Sequence, residues 1–192
     1  VGCGSKWFKE EDTEDTFREP LVEQLVYTLS LPGIVHIDGA ECYKTYPEIA
    51  KAYAKIQSCA ETKKPRSHIW FTDKYSTPTK YSQNPVEAIN KQRGKTGLEY
   101  VDLYLLHSPF IDKEKYGFDI VGAWKYMETL YKQGKAKNIG VSNFNVEDLS
   151  KILESCEIKP VVNQIEFSPV LLNQSPGIYD FCIENGILIE AY

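Results

Sequence analysis

The chain has 192 residues and a formal net charge of −5, and 42% of its residues are hydrophobic. This length and composition are typical of one globular domain. Lys and Arg are scattered rather than clustered, which argues against a nucleic-acid partner. No apolar run approaches the ~20 residues that a membrane-spanning helix needs, so we expect no membrane partner.

The five cysteines form an odd set without a Cys-x-x-Cys pair: Cys3, Cys42, Cys59, Cys156 and Cys182. This pattern favours free thiols in a reducing compartment over disulfides or a zinc site. We therefore expect a cytoplasmic protein without a bound metal. We also expect a monomer.

Six short apolar runs recur along the chain, and their starts are separated by roughly 25 to 35 residues, about the length of a βα unit. The runs are continuous rather than alternating, which is typical of parallel strands covered on both faces. They predict strands at 34–38, 69–74, 101–107, 137–143, 161–166 and 187–192.

Helix signals occupy the segments between these runs. Asn84 is followed by Pro85 and, three residues after it, by Glu87, which predicts a helix start. Ser175-Pro176 predicts the start of another helix, and Asn185-Gly186 its end. Regular apolar spacing predicts further helices at 21–29, 46–60 and 121–130.

Strands that alternate with helices indicate a parallel α/β fold, either an open doubly wound sheet or a (β/α)₈ TIM barrel. A barrel gathers every carboxyl-terminal strand end around one mouth, whereas an open sheet has a single crevice. Polar residues lie at the carboxyl-terminal ends of all six predicted strands, which favours the barrel: Asp38, Lys74, His107, Ser142, Asn143, Gln164 and Tyr192.

The predicted barrel has fewer strands than a complete one, which typically takes ~250 residues. If residues 1–5 are the tail of a first strand, the run at 187–192 is the seventh. We therefore expect a single barrel domain over 1–192, truncated at both ends, without its eighth strand and carboxyl-terminal loops. If these residues are the entire molecule, exposed strand edges and weak cofactor binding are expected.

Four ionisable side chains at these strand ends suit the protonation of a carbonyl oxygen. A tyrosine has a pKa of about 10, and a nearby ammonium lowers it. Lys74 supplies such a charge for Tyr43, Asp38 holds Lys74, and His107 offers a second hydrogen-bond donor. For Asp38 and Lys74 alone, a structural ion pair is the alternative interpretation.

The polar side chains of the later strands suit a nicotinamide cofactor. Ser142, Asn143 and Gln164 offer hydrogen bonds to a carboxamide, and Tyr192 offers a ring for stacking. Together with the four ionisable groups, they predict carbonyl reduction. The alternative for Ser142-Asn143 is a helix cap, although Asn145 is better placed for that role.

Six segments carry a resemblance to the aldo-keto reductase family over essentially the whole chain. They are His36-Ile37-Asp38 with Tyr43, 71–74, 101–109, 139–144, 163–166 and 190–192. The resemblance implies a catalytic tetrad of Asp38, Tyr43, Lys74 and His107, in which Tyr43 is the general acid. Ser108-Pro109-Phe110 and Asn173-Gln174-Ser175 are most similar to fungal keto-ester and conjugated-polyketone (α-keto amide) reductases.

The resemblance also implies a cofactor and a substrate class. The cofactor is NADPH, with NADH as the alternative, bound by Gly4, Ser5, Ser142, Asn143, Gln164 and Tyr192. The substrate is a small aldehyde or activated ketone, such as an α-dicarbonyl or a keto-ester. A second possibility is a cofactor-binding regulatory subunit with little turnover, because potassium-channel β subunits share these features.

Overall fold

The computed structural model describes residues 1–4, 16–60, 63–76, 82–171 and 175–192. Ser5, Asn173 and Gln174, which the sequence analysis singled out, lie outside these residues. All five cysteines lie within them and carry free thiols, as predicted.

In the described residues, six parallel strands form one sheet, in which every strand pairs with its neighbour in sequence. This sequential order is that of a (β/α)₈ barrel, whereas a doubly wound sheet reverses its order at a switch point. The chain therefore forms part of the predicted barrel. The strands are β1 (His36–Asp38), β2 (Trp70–Tyr75), β3 (Leu103–Leu106), β4 (Ile139–Ser142), β5 (Val162–Ile165) and β6 (Leu188–Ala191).

The start of the chain extends this sheet by one short segment. Gly2 forms a parallel bridge with Asp38 of β1, and the backbone N–H of Cys3 donates to the carbonyl oxygen of Asp38 over 2.9 Å. The beginning of the predicted segment 1–5 therefore lies beside β1, where the preceding strand of a barrel lies.

Seven α-helices accompany the strands in the described residues. They are α1 (Glu19–Ser30), α2 (Tyr46–Ser58), α3 (Pro85–Thr96), α4 (Lys113–Tyr116), α5 (Ile120–Lys132), α6 (Val146–Leu153) and α7 (Ile178–Glu184). The Asn84 cap is confirmed, because its side chain accepts hydrogen bonds from the backbone N–H groups of Val86 and Glu87. Helix α7 begins at Ile178, later than Ser175-Pro176 predicts, since Gly177 (φ +75°) precedes the first turn. No helix in the described parts of the chain is long and apolar enough to cross a bilayer.

The two faces of the sheet have different surroundings. One face packs against the helices, where Phe71, Tyr104 and Ile139 join a large buried core with Trp124 of α5. The other face carries the small apolar cluster Leu103, Leu105 and Val162. Because side chains alternate along a strand, residues aligned in neighbouring parallel strands share a face. The register pairs Lys74 with Leu105, Ser142 with Gln164, and Gln164 with Glu190, so the polar side chains lie on the second face.

Candidate active site

Lys74 lies at the centre of the predicted site, near the carboxyl-terminal end of β2. Its side chain is 1% exposed. The ammonium donates to the Asp38 carboxylate, to the carbonyl oxygen of Gly39 over 3.1 Å and to the hydroxyl oxygen of Tyr43 over 3.4 Å. An ammonium has three N–H groups, so these three acceptors match its full donor capacity.

Tyr43 reaches Lys74 through a short 3₁₀ turn, Glu41–Tyr43, that follows β1. The backbone N–H of Tyr43 donates to the carbonyl oxygen of Ala40 over 3.0 Å, and the turn ends at Lys44 in the left-handed region (φ 60°). Since the Tyr43 oxygen accepts from Lys74, its own proton remains available for donation to another group.

His107 completes the group from the carboxyl-terminal end of β3. Its ring lies edge-on against the Tyr43 ring, with the centroids 5.6 Å apart. Its backbone N–H donates to the carbonyl oxygen of Tyr75 over 3.0 Å, which continues the pairing of β2 and β3. The four side chains predicted to form a catalytic group are therefore brought together.

Burial and charge set the protonation of these groups. Burial favours the neutral amine of Lys74, but Asp38 and Tyr43 outweigh it and raise the pKa of Lys74 above its ordinary value. Burial, together with the Lys74 charge, lowers the pKa of His107 to about 4, so the imidazole is neutral at pH 7. Burial raises the pKa of Tyr43, and the Lys74 ammonium opposes this shift. The prediction that the Lys74 charge lowers the pKa of Tyr43 is thus confirmed for that interaction. The net shift is upward, because burial destabilises the phenolate more than the Lys74 charge stabilises it.

A cavity of about 470 Å³ adjoins these side chains. Eight of the ten predicted site residues line it: Gly4, Asp38, Tyr43, His107, Ser142, Asn143, Gln164 and Tyr192. Lys74 lies behind this lining, in contact with Asp38 and Tyr43. Ser5, the tenth, lies outside the described residues.

The residues predicted to bind a carboxamide are hydrogen-bonded to one another. Ser142 Oγ donates to the carbonyl oxygen of Gln164 over 2.8 Å. Asn143, in the left-handed region (φ 63°), donates through Nδ2 to the His107 carbonyl oxygen and to Ser142 Oγ over 3.0 and 3.1 Å. Tyr192 donates its hydroxyl proton to Asn143 Oδ1 over 2.7 Å. Helix α6 is capped by Asn145 instead, as its side chain accepts from the Asp148 N–H.

Gln164 connects the later strands to the ionisable group. Its Nε2 donates to Asp38 Oδ2 over 2.9 Å and to Glu190 Oε1 over 2.8 Å. Asp38 therefore accepts from Lys74 on one oxygen and from Gln164 on the other. Glu190 was not predicted as a site residue, although it lies two residues before Tyr192 in the predicted strand 187–192, and this spacing was a signal that both share one face.

Two further residues that the sequence analysis missed contact His107. Ser76 Oγ lies 3.1 Å from His107 Nδ1, and Cys42 Sγ lies 3.7 Å from the same nitrogen. Ser76 follows Lys74 by two positions and Cys42 precedes Tyr43 by one. Proximity in sequence to the predicted group was the signal available for both.

A second cavity, of about 610 Å³, lies at the amino-terminal ends of the same strands. Its lining includes the partly exposed apolar side chains of Val35, Trp70, Val161 and Leu188. Asp38, Tyr43 and His107 line the first cavity at the opposite ends of these strands, and Glu190 lines both cavities.

Comparison with solved structures supports the barrel. A crystal structure of a Bombyx mori aldo-keto reductase in complex with NADP superposes with a TM-score of 0.81 at 30% identity, covering 100% of this chain and 61% of that one. An aldo-keto reductase complexed with NADPH superposes with a TM-score of 0.82 at 28% identity, covering 100% of this chain and 57% of that one.

Curated relatives match the chain from end to end. The NADPH-dependent alpha-keto amide reductase of Saccharomyces cerevisiae is 58% identical over 192 residues, which are 100% of this chain and 60% of that protein. The NAD/NADP-dependent indole-3-acetaldehyde reductase of Schizosaccharomyces pombe is 37% identical over 191 residues, covering 100% of this chain and 63% of that protein. The chain thus spans about three fifths of the length of these relatives.

The match to a family as a whole agrees with the individual comparisons. The model of the aldo/keto reductase family matches residues 1–192. The sequential parallel sheet and the six sequence segments named above are consistent with that match. This chain belongs to the aldo/keto reductase family.

Proposed function

We propose that the protein containing this chain is an NADPH-dependent carbonyl reductase that acts on aldehydes or activated ketones. The proposal rests on one observation: the side chains of Tyr43, Lys74 and His107 lie close together beside one cavity. The Saccharomyces cerevisiae relative is an NADPH-dependent alpha-keto amide reductase, which supports α-keto amides and similar activated ketones as the substrate class.

Tyr43 acts as the general acid in this proposal. Its raised pKa keeps the phenol protonated until negative charge develops on the substrate carbonyl oxygen. The proton then passes from Tyr43 to that oxygen, and the charge of Lys74 stabilises the phenolate that remains. Asp38 holds Lys74 against Tyr43, so the ammonium needs no reorganisation during the transfer.

His107 donates a hydrogen bond to the same substrate oxygen. Its imidazole is neutral at pH 7, so one ring nitrogen carries a proton and the other accepts a hydrogen bond. A neutral donor orients the carbonyl group and leaves proton transfer to Tyr43.

The cavity residues fit the nicotinamide end of the cofactor. The volume of about 470 Å³ is in the range of small-molecule pockets. Gln164 and Asn143 present amide groups, which can bind a carboxamide if one of their present hydrogen bonds within the protein is replaced by a bond to the ligand. The exposed Tyr192 ring presents a face for stacking. When bound, NADPH supplies the hydride that adds to the carbonyl carbon. Gly4 lines the same cavity, and we assign Gly4 and Ser5 to cofactor contact as well.

The proposal is tested by Tyr43→Phe, assayed with a panel of α-dicarbonyls at saturating NADPH. The wild-type protein is expected to reduce several of them, and the variant to lose roughly 100-fold or more in kcat, the range for removal of a general acid. Tyr104→Phe is the matched control, since the Tyr104 hydroxyl donates to the Pro85 carbonyl oxygen away from the cavity.

Two results would contradict the proposal. One is near-normal turnover by Tyr43→Phe. The other is a wild-type protein that binds NADPH but reduces none of the carbonyls, which would favour the cofactor-binding regulatory subunit.

A further inference from the structure

Ser76 directly follows β2 and lies on the side of His107 that carries Nδ1. The residue is buried, with 5% of its surface exposed. The hydroxyl oxygen lies 3.1 Å from the backbone nitrogen of Cys42 and 3.1 Å from His107 Nδ1. The Ser76 hydroxyl group thus connects the His107 imidazole to the turn that contains Tyr43, and it does so from the residue that follows the strand of Lys74.

The direction of one of these hydrogen bonds is fixed by the atoms, and the direction of the other depends on the His107 tautomer. A backbone N–H only donates, so Ser76 Oγ accepts from Cys42. Its single proton can then be donated to an unprotonated His107 Nδ1, whereas a protonated Nδ1 would donate to the second lone pair of the Ser76 oxygen. The Cys42 thiol, 3.7 Å from the same nitrogen, is a second and weaker donor on that side.

A neutral imidazole carries its proton on the nitrogen that does not accept. We propose that Ser76 is a positioning residue that fixes His107 in the tautomer with its proton on Nε2. This inference rests on the proposed function, because it explains how His107 presents a donor to the substrate oxygen beside Tyr43.

The opposite tautomer would impair the same site. A proton on Nδ1 would point at Ser76 and leave Nε2 as an acceptor, so two lone pairs would face each other when a carbonyl oxygen approached. Ser76 therefore acts through His107 and touches no reacting atom. A hydrogen bond is worth about 1 kcal/mol, so its loss is expected to cost about fivefold to tenfold in kcat/KM.

The tautomer is read directly by long-range ¹H–¹⁵N correlation spectra of the protein labelled at histidine. The chain has three histidines, so His36→Gln and His68→Gln variants assign the His107 signals. We expect the wild-type protein to show a protonated Nε2 and an accepting Nδ1. We expect Ser76→Ala combined with Cys42→Ala to give a mixture of tautomers or the Nδ1 form, and Ser76→Thr to restore the wild-type spectrum.

Ser82→Ala is the matched control. Ser82 is also a buried serine, and its hydroxyl group donates to the Glu41 carboxylate of the same 3₁₀ turn. This variant should keep the wild-type tautomer. The double variant is expected to lose about tenfold in kcat/KM, mostly in kcat, with an unchanged Kd for NADPH.

The two proposals fail in distinguishable ways, since the spectra need no turnover. A wild-type protein with its proton on Nδ1, or a double variant with the wild-type tautomer, would overturn the role of Ser76. Full activity of Tyr43→Phe would instead overturn the proposed reaction and leave the tautomer result as it stands.

Discussion

The same six strands form two different cavities at their two ends. At the carboxyl-terminal end, Asp38 accepts from both Lys74 and Gln164, and the polar side chains bond to one another. At the amino-terminal end, Trp70 and Leu188 are 39% and 69% exposed beside an apolar cavity. The same backbone geometry therefore supports a charged, hydrogen-bonded site at one end and an apolar surface at the other.

The comparison of the two ends suggests that a single strand can contribute reactive side chains at one end and packing side chains at the other. Trp70 and Lys74, for example, belong to the same strand, β2, and lie near its opposite ends. In a barrel, catalytic residues come from the carboxyl-terminal strand ends, whereas the other end contributes to stability. Substitutions at the first end should therefore change rates, and those at the second should change the free energy of unfolding.

Lys74→Met is expected to have the largest effect on rate. It removes the charge that stabilises the Tyr43 phenolate and leaves Asp38 without its cation, so kcat/KM should fall roughly 1000-fold. Lys64→Met is the control, because Lys64 donates to the carbonyl oxygens of Leu29 and Ile34 near the start of β1. A fall of similar size in both variants, measured by steady-state kinetics, would contradict the division between the ends.

Asp38→Asn is expected to have a smaller effect. The amide keeps one acceptor oxygen but lacks the charge that helps to raise the pKa of Lys74, and we expect kcat/KM to fall by about 10- to 100-fold. Asp102→Asn is the matched control, since Asp102 pairs with Arg66 over 2.8 Å near the opposite end of the sheet. That control should lose stability and keep its rate.

Asp73 is a buried acid next to Lys74, and its substitution tests whether such a group affects the reaction rate. It faces the helices, where the Tyr46 hydroxyl contacts both of its oxygens at 3.0–3.1 Å. Burial raises the pKa of Asp73 to about 7. The folded state thus retains a proton that the unfolded state loses, and stability falls as the pH rises from about 4 to 7.

Asp73→Asn removes that pH dependence. Its free energy of unfolding at pH 8 should exceed that of the wild type by roughly 1–3 kcal/mol, and the difference should shrink towards pH 4. Urea titrations across this pH range give the measurement. A constant difference at all pH values, or a loss of kcat/KM greater than about tenfold, would oppose this interpretation.

Trp70→Ala is expected to have the smallest effect, and it acts on stability alone. The half-exposed indole packs edge-on against His36 at the apolar end, so its removal should lower the free energy of unfolding by about 1–2 kcal/mol. Denaturant titration measures the loss. A changed kcat with unchanged stability would show that the apolar end influences the reaction.

The strands, and the position of polar residues at their carboxyl-terminal ends, were predictable because both depend on local sequence. Continuous apolar runs mark parallel strands, and a polar residue that follows such a run lies at the strand end. The predicted helix start after Asn84 was equally local, since the cap and its two donors lie within four residues.

The contacts among site residues were not predictable in the same way. Gln164 bonds to Asp38 across 126 positions of sequence, through the curvature of the sheet and the direction of each side chain. The hydrogen bond from Ser76 to His107 depends on the course of the chain after β2. The net pKa shift of Tyr43 depends on how deeply the phenol is buried, which a motif does not specify.

In the proposed reaction, Tyr43, supported by Lys74, provides the proton for carbonyl reduction. The most direct measurement is the single-turnover rate of hydride transfer from pre-bound NADPH to an α-dicarbonyl in Tyr43→Phe. We predict a fall of roughly 100-fold or more from the wild-type rate, with the Kd for NADPH unchanged. An unchanged single-turnover rate in that variant would contradict the claim.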